Sequence, residues 1–475
     1  MAPRRNRMVG QASACTTGDF MNPVIIVGGG ISGLAASYDL RRAGVEHLVI
    51  DSAARLGGVI RTQSIEGNTL ECGPDSFISQ KPAVLQLIGE LGMKDDVIGS
   101  NDDRRITYIQ RNGKLMALPD GLMMMVPTKI LPMAVSPLLS WGTKIRMGLE
   151  YFRKPSAVAR GDRSVAEFIN DHYGQEAVDY LAEPLLAGVY GGDPTQLSVG
   201  SVLPRFVDLE SKYGSLTRGV LAHKAKANAP SGSLFRTLKQ GLGELVKKLT
   251  PPPASVMLNS VASGLERVGN NRFRVRVNEQ WMDARAVILT GPAYQAARLI
   301  ADLDPALALQ LNQIEYGSSA IANLGYKTSR MPKPLVGFGL LVPGKERKRM
   351  RACTFVGNKF SFRVAEGWQV IRCFFGGMAD GAILGESDEM IRAHAIEELR
   401  AILGISVDPD FCEISRWPRS MAQYTVGHGS RIEAIQARMK TLPGVFLAGN
   451  GYQGIGLPDC VQMGRAAAKA AIELK

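Results

Sequence analysis

A glycine-rich segment near the amino end has the residue types and spacing of a phosphate-binding turn. Its residues are Gly28, Gly29, Gly30, Ile31, Ser32 and Gly33. The apolar run Val24–Gly28 predicts a buried strand before the turn, and Ile31–Arg42 has the composition of a helix. Gly28 permits the tight bend, Gly30 lets the backbone approach a pyrophosphate, and Gly33 lets helix and strand pack closely. The helix would point its free N–H groups at the phosphates.

An acidic residue ends the next predicted strand, Leu48–Asp51. A carboxylate at this position accepts hydrogen bonds from ribose hydroxyls and disfavours a 2′-phosphate, which argues against NADP. The order of strand, glycine turn, helix and strand is that of a βαβ unit. We therefore predict a dinucleotide site that includes Asp51 and the neighbouring Ser52.

A second glycine motif follows at once in the segment Arg55–Thr62, which reads RLGGVIRT. Gly57 and Gly58 allow close backbone approach, and Arg55 supplies positive charge near a diphosphate. The segment resembles the RxGG…T signature of FAD-dependent amine oxidases, carotene desaturases and protoporphyrinogen oxidases. The resemblance implies that the cofactor is FAD.

The carboxyl-terminal segment is similar to the strand-to-glycine turn beneath the flavin in the same superfamily. It comprises Phe446–Asn450 and Gly454–Cys460, where Pro458 and Asp459 are good helix starters. A helix amino terminus facing the flavin pyrimidine would stabilise negative charge on reduced flavin. The resemblance implies further cofactor contacts from Gly73, Pro74, Val261, Trp417, Asn450, Ile455, Gly456 and Leu457.

Four phrases narrow the resemblance to the oxygen-dependent FAD protoporphyrinogen oxidases of bacterial type. They are NGYQGIGLPDC (450–460), EPLLAGVYGGDP (183–194), PLVGFGLLVP (334–343) and the segment 416–428. Amine oxidases usually carry an acidic residue just after the turn glycine, whereas this sequence has Asn450. The resemblance covers about residues 22–475.

The resemblance implies oxidation of protoporphyrinogen IX to protoporphyrin IX in haem biosynthesis. In each of three two-electron steps a bridge C–H gives a hydride to flavin N5 and a pyrrole N–H is lost, so the flavin carries the chemistry and no catalytic side chain is expected. Dioxygen reoxidises the flavin and gives hydrogen peroxide. Coproporphyrinogen III is the alternative substrate. Rival readings are a flavin amine oxidase, a carotenoid-type desaturase and a non-enzymatic flavin-binding scaffold.

Substrate contacts also follow from the resemblance. Gly188 would let the macrocycle approach the backbone near N5, and Asp75 occupies a polar position near flavin and substrate. The rings would lie between Leu341, Phe355 and Phe374. A plain loop glycine, a loop carboxylate and ordinary core packing are the alternative readings of these residues.

One position departs from the family pattern. Plant and animal members place an arginine that pairs with a substrate propionate where this sequence has Thr107 by our alignment. Arg104, Arg105 and the general basic excess are the candidates to replace it. A positively charged entrance to the substrate site would suit a substrate with either two or four propionates.

Charge and cysteine usage limit the classes of partner. The chain carries 56 basic and 44 acidic residues, a net charge of +12, with a basic cluster over Lys327–Arg351. This balance suits acidic substrates or anionic lipid, while nothing resembles a compact nucleic-acid module, so no nucleic-acid partner is expected. The six cysteines form no CxxC pair and the five histidines lack ligand spacing, so we predict no metal. Scattered cysteines also fit a reducing, cytoplasmic compartment.

Membrane contact is predicted at the surface only. No run of about 18 uncharged apolar residues exists. The richest apolar stretch, Gly121–Trp141, contains Met123–Val126 and Ile130–Leu131 next to Lys129, and these residues could dip into an anionic bilayer. An internal helix-packing layer is the alternative.

The expected fold class is α/β with α+β insertions around a discontinuous Rossmann-like FAD-binding domain. Its parts are 21–95, 236–300 and 415–475, and residues 1–20 are expected to be a disordered extension. Residues 96–235 are expected to form a mainly helical insertion at the substrate channel, facing a membrane. Residues 301–414 are expected to form a mixed-sheet substrate domain. The resemblance adds a homodimer and product hand-off to a ferrochelatase as expected partners.

Overall fold

The computed structural model describes residues 22–156, 161–226, 232–269 and 272–474. The expected extension over residues 1–20 lies outside the described residues. The strands are β1 (Val24–Val27), β2 (His47–Ile50), β3 (Thr62–Ile65), β4 (Asn68–Glu71), β5 (Phe77–Ile78), β6 (Val97–Gly99), β7 (Thr107–Arg111), β8 (Lys114–Ala117), β9 (Leu122–Met123), β10 (Val126–Pro127), β11 (Phe235–Leu238), β12 (Val256–Met257), β13 (Ala262–Arg267), β14 (Phe273–Val277), β15 (Gln280–Ala284), β16 (Ala286–Leu289), β17 (Tyr316–Lys327), β18 (Gly339–Leu341), β19 (Ala352–Phe355), β20 (Trp368–Gly377), β21 (Phe411–Ala422) and β22 (Val445–Leu447). The α-helices are α1 (Ile31–Arg42), α2 (Ala83–Glu90), α3 (Ile130–Val135), α4 (Trp141–Glu150), α5 (Val165–Tyr173), α6 (Gln175–Ala177), α7 (Glu183–Tyr190), α8 (Val199–Val202), α9 (Pro204–Tyr213), α10 (Leu216–Lys226), α11 (Gly243–Leu249), α12 (Ala293–Ile300), α13 (Pro305–Asn312), α14 (Val356–Lys359), α15 (Asp388–Leu403), α16 (His428–Met439) and α17 (Leu457–Glu473).

A five-stranded parallel sheet carries the amino-terminal glycine turn. Its strand order is β12-β2-β1-β16-β22, so three distant parts of the chain build it. The central strands β1 and β16 read VIIV and AVIL, which is the near-continuous apolar pattern of strands covered on both faces. Helices α1 and α17 pack against each other beside this sheet. The expected α/β class with a discontinuous Rossmann-like domain is confirmed.

A seven-stranded mixed sheet forms the other half of the molecule, in the order β21-β17-β20-β19-β18-β7-β8. β18 and β7 pair in parallel, and the other neighbours are antiparallel. β7 and β8 lie within the range 96–235, which was expected to be mainly helical. They form a hairpin because Asn112 and Gly113 adopt positive φ angles of 50° and 70°, as a tight hairpin turn requires.

Apart from the short strands β6, β9 and β10, the remaining described part of the range 96–235 is mostly helical and packs on its own buried cluster. Phe168, Tyr173 and Leu186 are among the buried side chains of this core. Helix α5 begins with a capping box, in which Ser164 and Glu167 satisfy each other's backbone N–H groups. Among the described residues, no helix has both the length and the apolarity needed to cross a bilayer.

Candidate active site

The glycine turn between β1 and α1 leaves the amino end of the helix open. Gly28 has φ +112°, which favours glycine, and a Cβ added at Gly33 would lie 2.0 Å from the Gly28 carbonyl oxygen. A Cβ added at Gly30 would meet nothing within 4 Å. Gly33 therefore serves close packing of helix on strand, while Gly30 leaves space for a ligand above the helix amino terminus.

The Asp51 carboxylate is fixed beside this turn. Its Oδ2 accepts a hydrogen bond from the Gly29 N–H at 2.6 Å, and its Oδ1 accepts one from the Ala53 N–H at 2.8 Å. A carboxylate has about four acceptor positions, so the group retains acceptor capacity for ribose hydroxyls. The adjacent Ser52 lines the same cavity.

The second glycine motif lies directly on the first. The Gly57 N–H donates to the Gly29 carbonyl oxygen at 2.8 Å, and a Cβ added at Gly58 would lie 3.2 Å from the Gly30 Cα. The Arg55 guanidinium binds three carbonyl oxygens of its own loop, those of Leu56, Gly58 and Ile60, at 2.6–3.1 Å. In this structure Arg55 therefore holds the loop in shape as well as adding positive charge to the site.

The loop after β4 is tied to the large sheet through Asp75. Its Oδ2 lies 2.8 Å from the Lys359 Nζ and 3.6 Å from an Arg372 nitrogen, and its Oδ1 accepts from the Ser76 hydroxyl at 2.6 Å. Burial alone would raise the pKa of Asp75, but the two cations outweigh it and hold the pKa far below its usual range. Asp75 is therefore a permanently charged anchor. Arg372 also donates to the Gly73 carbonyl oxygen.

The Tyr424 hydroxyl supports the carboxyl-terminal loop through hydrogen bonds. In the sequence analysis, Tyr424 was included in the segment 416–428 but was given no role. The Tyr424 hydroxyl donates to the Asn450 carbonyl oxygen and accepts from the Gly454 N–H, both at 2.8 Å. The Asn450 side chain donates to the Ser420 carbonyl oxygen at 2.8 Å. Helix α17 then begins at Leu457, and its first residues, Leu457 and Pro458, line the cavity.

One cavity of about 1780 Å³ connects these loops to the large sheet. Typical ligand pockets are roughly 300–1,000 Å³, so this cavity has room for a dinucleotide and a second ligand. The predicted site residues that line it are Gly28, Gly30, Ile31, Ser32, Asp51, Ser52, Arg55, Gly57, Gly58, Gly73, Pro74, Asp75, Thr107, Gly188, Val261, Leu341, Phe374, Trp417, Asn450, Ile455, Gly456 and Leu457. Gly29 and Gly33 lie behind the turn and support it.

The far end of the cavity lies between α7 and the large sheet. A Cβ added at Gly188 on α7 would meet Leu341 Cδ2 at an ordinary 3.7 Å and is otherwise unobstructed by the described residues. Leu341, Ala352 and Phe374 are direct partners across three neighbouring strands, so they share one face of the sheet. The small Ala352 between the larger side chains makes this wall concave. Thr107 joins the same end through its pairing with Gly339.

Phe355 does not belong to this wall. Side chains alternate along a strand, so Phe355, three positions after Ala352, points to the opposite face of the sheet. There it is 1% exposed and packs in the core of the large sheet, with Ile371 as its cross-strand partner. The structure therefore separates Phe355 from Leu341 and Phe374, and ordinary core packing describes it.

Comparison with known proteins decides the family. Residues 31–472 match the family model described as flavin containing amine oxidoreductase. The chain belongs to this family. It is 31% identical to a coproporphyrinogen III oxidase of Bacillus subtilis (strain 168), over 94% of this chain and 97% of the relative. It is 26% identical to the mitochondrial protoporphyrinogen oxidase of Nicotiana tabacum, over 94% of both. The crystal structure of a provisionally named protoporphyrinogen oxidase from Exiguobacterium sp. 255-15 superposes with a TM-score of 0.84 at 29% identity, covering 95% of this chain and 98% of that one.

The protein is accordingly an FAD-dependent oxidoreductase, and its residues fit the cofactor. The open space at Gly30 and the amino terminus of α1 suit a diphosphate. The remaining acceptor capacity of Asp51 suits a ribose. Val261, which is 54% exposed, lines the same cavity as Gly456 and Leu457 at the start of α17, and their contacts with adenine and flavin stay predictions.

A separate cluster in the helical block joins Asp171, His172 and Glu210, whose ligand atoms lie within 4.8 Å of one another. The Arg153 Nη2 lies 2.6 Å from the Asp171 Oδ2, and the Arg163 Nη2 lies 2.6 Å from the Glu210 Oε1. The two guanidinium groups therefore supply the positive charge that balances these acids. The absence of a metal in this protein stays a prediction.

His428 is a second supporting residue, which the sequence analysis included in the segment 416–428 without giving it a role. Its ring stacks on Tyr424, with centroids 3.9 Å apart and planes 12° apart. A ring nitrogen lies 3.2 Å from the Tyr452 carbonyl oxygen. Burial lowers the pKa of His428 to about 4. The imidazole is therefore neutral at physiological pH and supports the loop that Tyr424 holds.

We expect His428 to make the protein acid-labile. The unfolded chain binds a proton at this residue near pH 6.5 and the folded chain only near pH 4, so stability is lost as the pH falls through that window. The free energy of unfolding is expected to fall by about 3 kcal/mol between pH 6.5 and pH 4. Denaturant unfolding of flavin-loaded protein across pH 4 to 6.5 measures it. His428→Phe, which has nothing to protonate, should flatten the pH dependence.

The exposed His223 on α10 provides the control, because His223→Gln removes a histidine outside this stack. That variant should keep the wild-type pH dependence. If the free energy of unfolding of His428→Phe still fell with pH as steeply as that of the wild type, other groups would be the cause of the acid lability.

Proposed function

We propose that this chain oxidises a porphyrinogen to the porphyrin, with dioxygen as acceptor and hydrogen peroxide as product, in haem biosynthesis. The observation that carries the proposal is the single cavity that joins the FAD-binding loops to a concave apolar wall. When bound, FAD supplies the acceptor for the two electrons and the hydrogen of each bridge C–H bond. The relatives named for porphyrinogens support this choice over an amine or a carotenoid.

The residues of the chain position and shield the substrate. Leu341 and Phe374 offer an apolar surface to the macrocycle, and Gly188 keeps the opposite side open. Asp75 is neutralised by its two cations, and His428 is neutral within its stack. The protein groups at this site therefore exclude water and fix orientation rather than transfer protons.

We propose coproporphyrinogen III as the preferred substrate, because the relative from Bacillus subtilis is named for it and is similar over nearly the whole chain. Protoporphyrinogen IX is the second candidate, supported by the relative from Nicotiana tabacum. The deciding assay supplies each porphyrinogen in air and follows porphyrin fluorescence and peroxide beside an enzyme-free autoxidation control. Faster coproporphyrin formation supports the preference, and faster protoporphyrin formation reverses it. FAD-loaded protein that accelerates neither reaction would overturn the proposed function.

We also propose that the protein is cytoplasmic and contacts an anionic membrane surface. The side chains of Ile130, Leu131, Val135, Trp141, Ile145, Leu149 and Phe152 form an apolar face on and around α3 and α4 and are 60–89% exposed. Lys129, Lys144 and Arg146 lie in the same segment and complement anionic lipid. Met125 and Val126, by contrast, are fully buried, so internal packing describes that part of the segment.

Vesicle sedimentation tests this surface. Wild-type protein should sediment with vesicles that contain anionic lipid and dissociate at high salt, because charge supports the insertion of apolar side chains. A triple substitution of Ile130, Leu131 and Phe152 by serine should lose most of the sedimenting fraction with unchanged FAD content. Wild-type protein that stays in the supernatant with anionic vesicles would refute the membrane proposal. The homodimer and the hand-off to a ferrochelatase stay predictions.

A further inference from the structure

Three arginines are buried among the residues that the structure describes, and one of them differs from the others. Arg351, Arg363 and Arg372 are 7%, 2% and 3% exposed. Arg363 lies 2.9 Å from a Glu71 oxygen, and Arg372 lies 3.6 Å from an Asp75 oxygen. Within the described ranges, Arg351 has no carboxylate oxygen within 4.0 Å. Its guanidinium donates instead to the backbone carbonyl oxygen of Gly191, at 2.8 Å.

Three acids, Glu183, Asp380 and Asp193, act on Arg351 through their charge from beyond 4.0 Å, and Glu183 acts most strongly. Glu183 binds Arg347 at 2.6 Å through one carboxylate oxygen and accepts from the Gly344 N–H at 2.9 Å through the other. Burial lowers the pKa of Arg351 to about 10, and the charge of Arg347 acts in the same direction. The group remains a cation at neutral pH. Burying a charge without a partner is costly, and one carbonyl oxygen at the end of α7 offsets only part of that cost.

The position of Arg351 indicates which anion could form an ion pair with it. Arg351 lines the cavity beside the carboxyl end of α7. Its carbonyl partner Gly191 lies three residues after Gly188. A Cβ added at Gly377, at the end of β20, would lie 2.0 Å from the Arg351 Nη1, so this glycine makes room for the guanidinium. The cation therefore lies beside the space assigned to the tetrapyrrole.

We propose that Arg351 receives a carboxylate of the substrate at this end of the cavity. The inference rests on the proposed function, because it takes the porphyrinogen as the occupant. A guanidinium presents five N–H donors in a fixed plane, which suits two parallel hydrogen bonds to a carboxylate. Arg351 thereby makes the site select a ring that bears propionates, and it takes the role that the family pattern gives to an arginine at the position of Thr107.

Equilibrium binding of air-stable ligands tests the proposal without catalysis. The ligands are coproporphyrin III and its tetramethyl ester, which keeps the ring but removes the negative charges. The test variant is Arg351→Gln, since glutamine keeps an N–H donor for the Gly191 carbonyl. The matched control is Lys348→Gln, because Lys348 is 68% exposed, pairs with Glu397 and also loses one positive charge.

We expect Arg351→Gln to weaken coproporphyrin III binding by about 10- to 100-fold and to change ester binding by less than about twofold. Lys348→Gln should change neither ligand by more than about twofold, and Arg351→Lys should restore part of the affinity for the acid. Equal weakening of acid and ester, or no weakening of either, would overturn the proposal. The proposal would also be overturned if wild-type protein did not bind coproporphyrin III more tightly than its tetramethyl ester. This comparison needs no variant. The porphyrinogen assay is separate, so failure of the proposed function shows there and not in the ligand comparison.

Discussion

A Gly33→Val variant is expected to purify almost free of FAD and without oxidase activity. The valine Cβ would lie 2.0 Å from the Gly28 carbonyl oxygen and 2.9 Å from the Thr290 hydroxyl. That carbonyl cannot swing aside freely, because the Thr290 hydroxyl donates to it at 2.7 Å. The clash must instead push α1 away from β1. The helix amino terminus then leaves the position that faces the diphosphate.

The expected loss is at least about 100-fold in FAD affinity, since a displaced turn forfeits several backbone contacts to the phosphates at once. Flavin absorbance per protein and reconstitution with added FAD measure it. Gly381→Val is the matched control, because a Cβ there meets nothing within 4 Å and the site is on the surface. If Gly33→Val bound FAD like the wild type, close packing at this turn would not be the reason for its glycine.

Gly30→Ala separates packing from ligand approach at the same turn. No described atom lies within 4 Å of the added Cβ, so the fold should keep its stability. The methyl group would nevertheless project into the space reserved for the diphosphate. FAD affinity should therefore fall while the unfolding temperature of the FAD-free protein stays unchanged, a combination that Gly33→Val cannot produce.

The FAD-binding part of the fold could be predicted from the sequence because the sequence motifs that define it are local. The helix predicted over Ile31–Arg42 has those bounds in the structure. Glycine spacing, a strand-ending acid and apolar runs are each read within a few residues. Apart from Gly29 and Gly33, the predicted cofactor residues accordingly line one cavity.

The substrate half depends on pairings between distant strands, and there the prediction was less complete. Phe355 and Phe374 look alike in sequence, and only the register of β19 and β20 shows that they face opposite sides. The β7–β8 hairpin carried a local signal, the Asn112-Gly113 turn, but the sheet that it joins comes from residues far along the chain. Arg351 appeared only as one charge in a basic segment, because a missing ion-pair partner is visible only in three dimensions.

A Gly188→Leu variant is expected to keep its FAD and to lose at least about 100-fold in kcat/KM for the porphyrinogen. The Cβ of that leucine would meet one described atom within 4 Å, Leu341 Cδ2 at an ordinary 3.7 Å, so the backbone need not move to admit it. It would then fill the gap between α7 and the wall formed by Leu341 and Phe374. The macrocycle could then no longer enter deeply enough to reach the flavin.

The order of effects distinguishes this steric role from a structural one. Gly188→Ala places one methyl group at 3.7 Å from Leu341 and should give an intermediate loss, of about tenfold, without a change in FAD content. Gly148→Leu, on the exposed side of α4, should leave FAD content and kcat/KM as in the wild type. If Gly188→Leu lost FAD in proportion to activity, the glycine would be needed for folding of α7. If it lost neither, the ring would have to bind in another part of the cavity, away from Gly188.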